Sequence, residues 1–393
     1  MMGALGGHMS FRFRDLAIIG AVFHTITLAQ TPNPVSAQVS LQNLNALPRP
    51  AVPADPLDPV TGGAQPVQTA EQRSAVVTLL AKARELSNVR AQPYDLKTTF
   101  VTSGGLPSDG SWTLEDISPG RGLYRWTAQG PNYAAVNLYN NGTQGMLYSN
   151  QPGGVLPLRL VQAREAIFFN VGSVGPRAPF RTAVGYVNGA AQNCVLVGQI
   201  TPSQTSGGGR NWGDSEYCID SNTGLLTTYS PAPGLYVHYD YSNGIKFHNK
   251  TIPGSFTVTE AGRVVIDAKT ESVSDPGDPK SALFDPAGMS ALGVGQAMTP
   301  AMNLRTMAPP DFRSLKSATN LAVQVVVLHG GLSPDGHLSE TELLASSDAS
   351  LNQKALDQAN KLTSMVGSAT QAQPGVTQQS HEMIFTVEFV TSQ

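Results

Sequence analysis

Ala322–Leu328 reads AVQVVVL, and the chain closes on HEMIFTVEFV at His381–Val390. The first stretch has the β-branched, continuously apolar make-up of a buried strand. In the second, Met383, Phe385, Val387 and Phe389 recur at strict period two, which puts them on one face of an extended chain. Between the two, Pro334-Asp335-Gly336 carries turn chemistry and His337–Ser346 alternates loosely as a returning strand. SSDASLNQKALDQANKLTSM (346–365) then spaces Leu351, Ala355, Leu356, Ala359 and Leu362, and Val366 beyond it, at threes and fours, an amphipathic helix opening near Ser350. The C-terminal region 311–393 is therefore expected to form a small ββαβ unit.

Working outward, 393 residues suffice for two or three domains with proper cores. A net charge of −3 without any Lys/Arg cluster offers no electrostatic footprint for nucleic acid, so none is expected as a partner. Only 13% of residues are charged while Gly, Pro and small polar residues abound, a composition that fits a β-rich exported protein. Residues 1–38 carry the matching address: Arg12 and Arg14 precede the apolar run Leu16–Ala29, and small-residue cleavage sites follow at Thr27-Leu28-Ala29 and Val35-Ser36-Ala37. The run is shorter than a spanning helix needs, so cleavage and a periplasmic or secreted location are expected. The alternative is an inner-membrane anchor through this segment. Residues 39–68, rich in Pro, Ala, Gln and Asn, read as a flexible linker.

Thr69, with Gln72 three residues on, announces a capped helix whose stripe is Val76, Leu79, Leu80, Ala83 and Leu86. From Tyr94 the period changes to two. Strands are expected at Asp95–Thr102, Ser111–Ile117, Leu123–Ala128, Tyr133–Asn140 and Met146–Ser149, a helix at Pro157–Asn170, and further strands from Thr182 to Ser272, as an antiparallel meander. Cys194 and Cys218 lie on neighbouring expected strands. Being the only two cysteines of an exported chain, they are expected to form a disulfide, closing a loop that stabilises by about 3 kcal/mol. Residues 275–310, rich in Pro, Gly, Ala and Met, read as a second linker.

Two resemblances follow from these residues. The ββαβ order, with Val325-Val326-Val327, Ser333-Pro334-Asp335-Gly336, Lys354-Ala355-Leu356 and Phe385-x-Val387-x-Phe389, resembles the TonB C-terminal domain family. That resemblance implies a periplasmic module whose sheet edge takes an extended peptide from an outer-membrane receptor or other envelope protein by strand addition. Phe385, Thr386, Val387, Glu388 and Phe389 would be the docking edge; alternatively, the unit only packs on the rest of the chain or self-associates. Over 69–274, the helix followed by a meander looks like the LolA/LolB lipoprotein-carrier superfamily, as do the phrases GSWTLEDISPGRGLYRWTAQGPN (110–132) and Asp220-Ser221-Asn222-Thr223-Gly224-Leu225. This second resemblance implies a curved antiparallel half-barrel holding lipid or lipoprotein acyl chains. Tyr124, Trp126, Tyr139, Tyr148, Phe168 and Phe169 are candidates to line its cavity, and equally candidates for ordinary core. The expected fold class is thus α+β.

Catalytic motifs are missing. His329-Gly330-Gly331 reads as a turn without a G-x-S-x-G partner, the histidines show no metal-binding spacing and no phosphate loop is present. Glu115-Asp116 and Asp214-Glu216 read as solvated surface. The expectation is a non-catalytic binding protein with no cofactor and no metal.

Overall fold

The computed structural model describes residues 47–60, 63–120, 122–140, 146–150, 156–168, 171, 174, 178–198, 209–278, 282–285, 302–307, 321–332, 338–369 and 381–392. The leader at 1–38 and Phe169 lie outside them.

A capping box opens the first helix, α1 (Ala70–Ser87): the Thr69 side chain accepts from the Gln72 amide, and the Gln72 side chain accepts from the Thr69 amide. Val76, Leu80 and Ala83 of α1 turn inward. The meander then runs through β2 (Tyr94–Thr102), β3 (Gly110–Gly120), β4 (Leu123–Gly130), β5 (Tyr133–Asn140) and β6 (Met146–Ser149). After α2 (Leu158–Phe168) it resumes with β7 (Phe180–Val187), β8 (Ala190–Val197), β9 (Ser215–Asp220), β10 (Leu226–Ala232), β11 (Leu235–Asp240), β14 (Ser255–Glu260) and β15 (Arg263–Ser274). A short β1 (Gln65–Pro66) precedes them all, and a separate hairpin of β12 (Ile245–Phe247) and β13 (Lys250–Ile252) interrupts the second half.

All neighbours in the large sheet are antiparallel, in the order β1-β7-β8-β9-β10-β11-β14-β15-β2-β3-β4-β5-β6. The two halves of the meander are thus welded by β15 pairing back onto β2, from Ile266↔Thr102 to Ser274↔Asp95. One face of the sheet carries Phe100, Trp112, Leu114, Trp126, Val195, Ile219, Val237 and Phe256, and packs with α1 and α2 into the main core. Gly130 allows this close packing: a Cβ there would stand 2.3 Å from the Trp112 ring, so the indole lies directly on the β4 backbone.

The ββαβ succession is present as β17 (Leu321–Leu332), β18 (Leu338–Ser346), α3 (Asn352–Ala369) and β19 (His381–Ser392), with Asp348 accepting from the Ser350 amide just ahead of the helix. A further strand, β16 (Met302–Met307), lies inside the segment expected to be a linker and pairs parallel to β19. The order is β16-β19-β17-β18. This corrects the expected docking edge. Phe385 to Phe389 lie in an interior strand, with Thr386 opposite both Arg305 and Val327, so their backbone is already engaged on both sides.

The unit does not stand apart either. On one face of β17 and β19, Val326, Leu328, Met383, Phe385 and Val387 pack with Leu351, Ala355 and Ala359 of α3. On the other, Val323, Val325, Val327 and Ile384 join the main core. Burial on both faces is the physical reason AVQVVVL has no polar alternation. His329 belongs to this strand and is fully buried, correcting its reading as a turn.

Residues 47–60 are likewise a strap rather than a tether. Val323 donates to the Pro48 carbonyl at 3.0 Å, Trp212 Nε1 to Pro50 at 2.8 Å and the Tyr186 amide to Pro59 at 3.3 Å. Arg49 forms a bidentate, fully enclosed pair with Glu388 at 3.1 and 2.9 Å.

Candidate functional site

α2 is the element that positions the polar chemistry. Leu158, Arg159, Leu160, Gln162, Ala163, Arg164, Ala166 and Phe168 are all buried, so this helix is enclosed around its circumference. It touches β14 and β15 of the large sheet and β19 of the small one. Its apolar residues serve the core, and its arginines enter two separate networks.

The first network sits at the joint between the sheets. Arg159 Nη1 donates to Glu260 at 2.9 Å and to Gln162 Oε1 at 2.8 Å, and Arg159 Nη2 donates to Glu342 at 2.7 Å. His329 Nδ1 lies 2.6 Å from Glu260 Oε1, and the Leu158 amide donates to Glu340 at the start of the helix, at 3.0 Å. Burial works to raise the pKa of Glu260, but the charge and hydrogen bond of His329, with Glu342 and Arg159, outweigh it and hold the carboxylate well below the usual range. Glu342 moves the other way, to about 7, through burial first and then the neighbouring Glu260. Arg159, Glu260 and His329 are each 0% exposed, while Glu342 reaches the edge of the joint at 10% side-chain exposure.

The second network lies among aromatic rings on the inner face. The Tyr94 hydroxyl donates to Asp116 at 2.7 Å and the Tyr124 hydroxyl to its other oxygen at 2.8 Å. Arg90 donates to the Tyr124 oxygen at 2.9 Å, and Arg164 donates to it at 2.5 Å. The Arg90 guanidinium stands 4.5 Å from the Phe168 ring centroid, and that of Arg164 4.5 Å from Trp126. Asp116 is wholly buried, which overturns its reading as solvated surface. Glu115, beside it in sequence, does face outward and pairs with Lys97 at 3.0 Å.

The expected cavity-lining residues are therefore brought only partly together. Trp126 is at 0% exposure in the main core, Phe168 packs with Tyr94, Leu96, Phe247 and Ile252, and Tyr124 bridges the two clusters. Tyr139 is directly opposite Tyr124 in the ladder but 37% exposed. Tyr148 is placed by its backbone alone, opposite Val136. Sequence reasoning missed Arg90, Arg164 and Asp116. The signal available was a charged residue in step with Tyr94, Tyr124 and Trp126 on strands of period two.

On the opposite face of the sheet, Cys194 and Cys218 stand directly across the β8–β9 ladder and are joined, with Cα atoms 4.1 Å apart. Val60 of the strap and Ala64, beyond its end, pack with them. Glu216 Oε1 lies 3.0 Å from the Cys218 sulfur, but the sulfurs are bonded to one another and so do not serve as thiolate ligands. Glu216 is fully buried and Asp214 nearly so, again contrary to a solvated-surface reading. Burial pushes Glu216 up to about 8, against the pull of Arg210 and with the push of Asp58.

No protein-family model matches the sequence, and no curated protein matches it. Among solved structures, the chain is similar to a putative outer membrane lipoprotein-sorting protein domain from Vibrio parahaemolyticus, at 8% identity and a TM-score of 0.35, over 53% of this chain and 96% of that one. It is similar to a DUF1329 family protein from Desulfovibrio piger at 9% identity and 0.38, over 57% and 99%. A LolA superfamily protein from Nitrosomonas europaea is similar at 9% identity and 0.32, over 54% and 97%.

Proposed function

We propose that this is a non-catalytic cell-envelope protein that binds the acyl chains of a lipid or lipoprotein on the inner face of its large sheet. The observation carrying this reading is the way that face is covered. It is one continuous apolar surface containing Phe100, Trp112, Leu114 and Trp126, and α2, which lies on it, contributes short side chains, Ala163 and Ala166, beside Leu160. Ile167 and Phe168 add apolar contact at the end of the helix, and its polar fixings run through Arg159, Gln162 and Arg164. An acyl chain that parts α2 from the sheet gains apolar contact worth about 0.8 kcal/mol per buried CH₂. Arg90, bonded to Tyr124 and partly exposed at the edge of the aromatic cluster, is the cation an anionic headgroup would meet there.

The disulfide supports an oxidising compartment. Among the described residues, no helix is long and apolar enough to cross a membrane. The interior position of β19 removes the support for peptide capture at the last strand.

The test is a titration of the purified protein with fluorescent fatty acids of increasing length. Affinity is expected to rise steeply with chain length, to be competed by phospholipid, and to prefer anionic headgroups less in Arg90→Gln. Absence of uptake, or binding independent of chain length, overturns the reading.

A further inference from the structure

The two ends of α2 are held by chemically different contacts. Toward its C-terminus, Arg164 donates to the Tyr124 oxygen and the Tyr239 hydroxyl donates to the Ala166 carbonyl at 2.7 Å. Burial pushes Tyr124 upward, so its hydroxyl keeps its proton through the neutral range. At the N-terminus the contacts run to carboxylates instead. The Leu158 amide and Arg159 meet Glu340 and Glu342 of β18, and Arg159 and Gln162 meet Glu260 of β14. Parting this end of α2 from the sheet breaks them.

Glu342 carries the sensitivity of that set, because its side chain reaches the edge of the joint and so exchanges protons with solvent. Facing it are Arg159 of α2 at 2.7 Å, Arg263 at the start of β15 at 4.0 Å, and Glu260 of β14. His329 of β17 is directly opposite in the ladder, and Glu340 stands two places back on its own strand. The β2–β3 loop closes over the pair: a Cβ on Gly104 would stand 2.8 Å from Arg159 Nη2 and 3.4 Å from Glu342 Oε1. Enclosure first, and then the adjacent Glu260, raise Glu342 from 4.5 to about 7 against the pull of Arg159. Glu260 is held well below the usual range and stays ionised throughout that interval. The closed joint therefore binds a proton that a solvated Glu342 would release, so its advantage is full below about pH 4.5 and is lost as pH rises to about 7.

We propose that Arg159, Glu260 and Glu342 form a proton-controlled latch, which keeps the N-terminal half of α2 on the large sheet while Glu342 is protonated and releases it when Glu342 ionises. Two carboxylates then compete for one fully enclosed guanidinium, and the Arg164 and Tyr239 contacts act as the pivot. As a gate for acyl uptake the latch rests on the function proposed above; as a motion of α2 it stands apart from it.

Hydrogen–deuterium exchange on the full chain, read over 158–168 and corrected for intrinsic rates, tests the motion. Opening at 158–162 is expected to rise by up to about tenfold per pH unit between pH 5 and 7, to level off above, and to lose this slope in Glu342→Gln. A wild-type profile without slope overturns the proposal, and so does an equal slope in Glu342→Gln; should that variant not fold, the wild-type profile decides. Titration with lysophosphatidylcholine carrying a fluorescent acyl chain, whose headgroup does not titrate in this range, tests the gate. Affinity that rises in step with opening supports it, and affinity independent of pH beside a sloping exchange profile overturns it. A sloping profile with no uptake at any pH supports the latch and overturns the acyl-binding function instead.

Discussion

Arg49 and Glu388 are separated by 339 positions, yet their side chains form one enclosed bidentate pair. Arg49→Met removes the strap's cation from a buried carboxylate and is expected to destabilise the protein by about 3–5 kcal/mol, with Arg49→Met/Glu388→Leu recovering much of that; chemical denaturation of the two variants measures the difference. Gly234 is similarly exacting. Its φ is +82°, and a Cβ would stand 2.1 Å from the Leu344 carbonyl oxygen, so Gly234→Ala is expected to push the β10–β11 turn off β18. Glu216 sets a pH dependence. Its carboxyl is raised in the folded state from 4.5 to about 8, chiefly by burial, so the folded chain holds this proton to higher pH than the unfolded chain does. The associated stability is present below the unfolded pKa and declines as pH rises from about 4.5 toward 8. In Glu216→Gln the melting temperature is expected to fall less between pH 6 and 9 than in the wild type; an identical slope refutes the assignment.

Among the elements, α1 and α2 contrast in what their sequences disclose. The capping box at Thr69 and Gln72 is local, was readable from the sequence and is present in the structure. Thr69→Ala is expected to cost about 1 kcal/mol. For α2 the sequence marks a helix and shows an apolar face, but gives no sign that the other side, with Arg159 and Gln162, is equally buried. The cause is external: β14 and β17 bring Glu260 and His329 against it. β14 itself, SFTVTE, carries a weak signal in the sequence because threonines alternate with its core residues and blur the apolar pattern. For β19 the face was legible at Met383, Phe385 and Val387, but the strand's place in the sheet was not. Thr386→Pro, which would block capture at a free edge, is expected here to break an interior ladder and prevent folding. Loss of near-UV circular dichroism would report it.

At the scale of the molecule, β17 decides how many bodies there are. Because Val323, Val325 and Val327 belong to the main core and Val326 and Leu328 to the α3 cluster, the strand is shared. Residues 40–393 accordingly form one compact unit. A fragment spanning 311–393 expressed alone would expose that inner face, and is expected to aggregate or to show poorly dispersed NMR spectra. A soluble, well-dispersed fragment would contradict the shared core. Reduction of Cys194–Cys218 is expected to lower stability by about 3 kcal/mol and to loosen the strap through Val60 and Ala64, measured as faster amide exchange there.

The sequence by itself determined what depends on near neighbours: the capped α1, most strands of the meander, the ββαβ order, and the pairing of its only two cysteines. Periodicity, caps and turns are local physics, and they survive whatever packs around them. The tertiary structure alone decided the rest. A proline-rich stretch became a strap because distant Glu388, Trp212 and the disulfide face receive it. Asp116 and Glu216 became buried because arginines from elsewhere in the chain stand beside them. Whether a charge is solvated or enclosed depends on which partner covers it, and that is a long-range fact that no window of sequence contains.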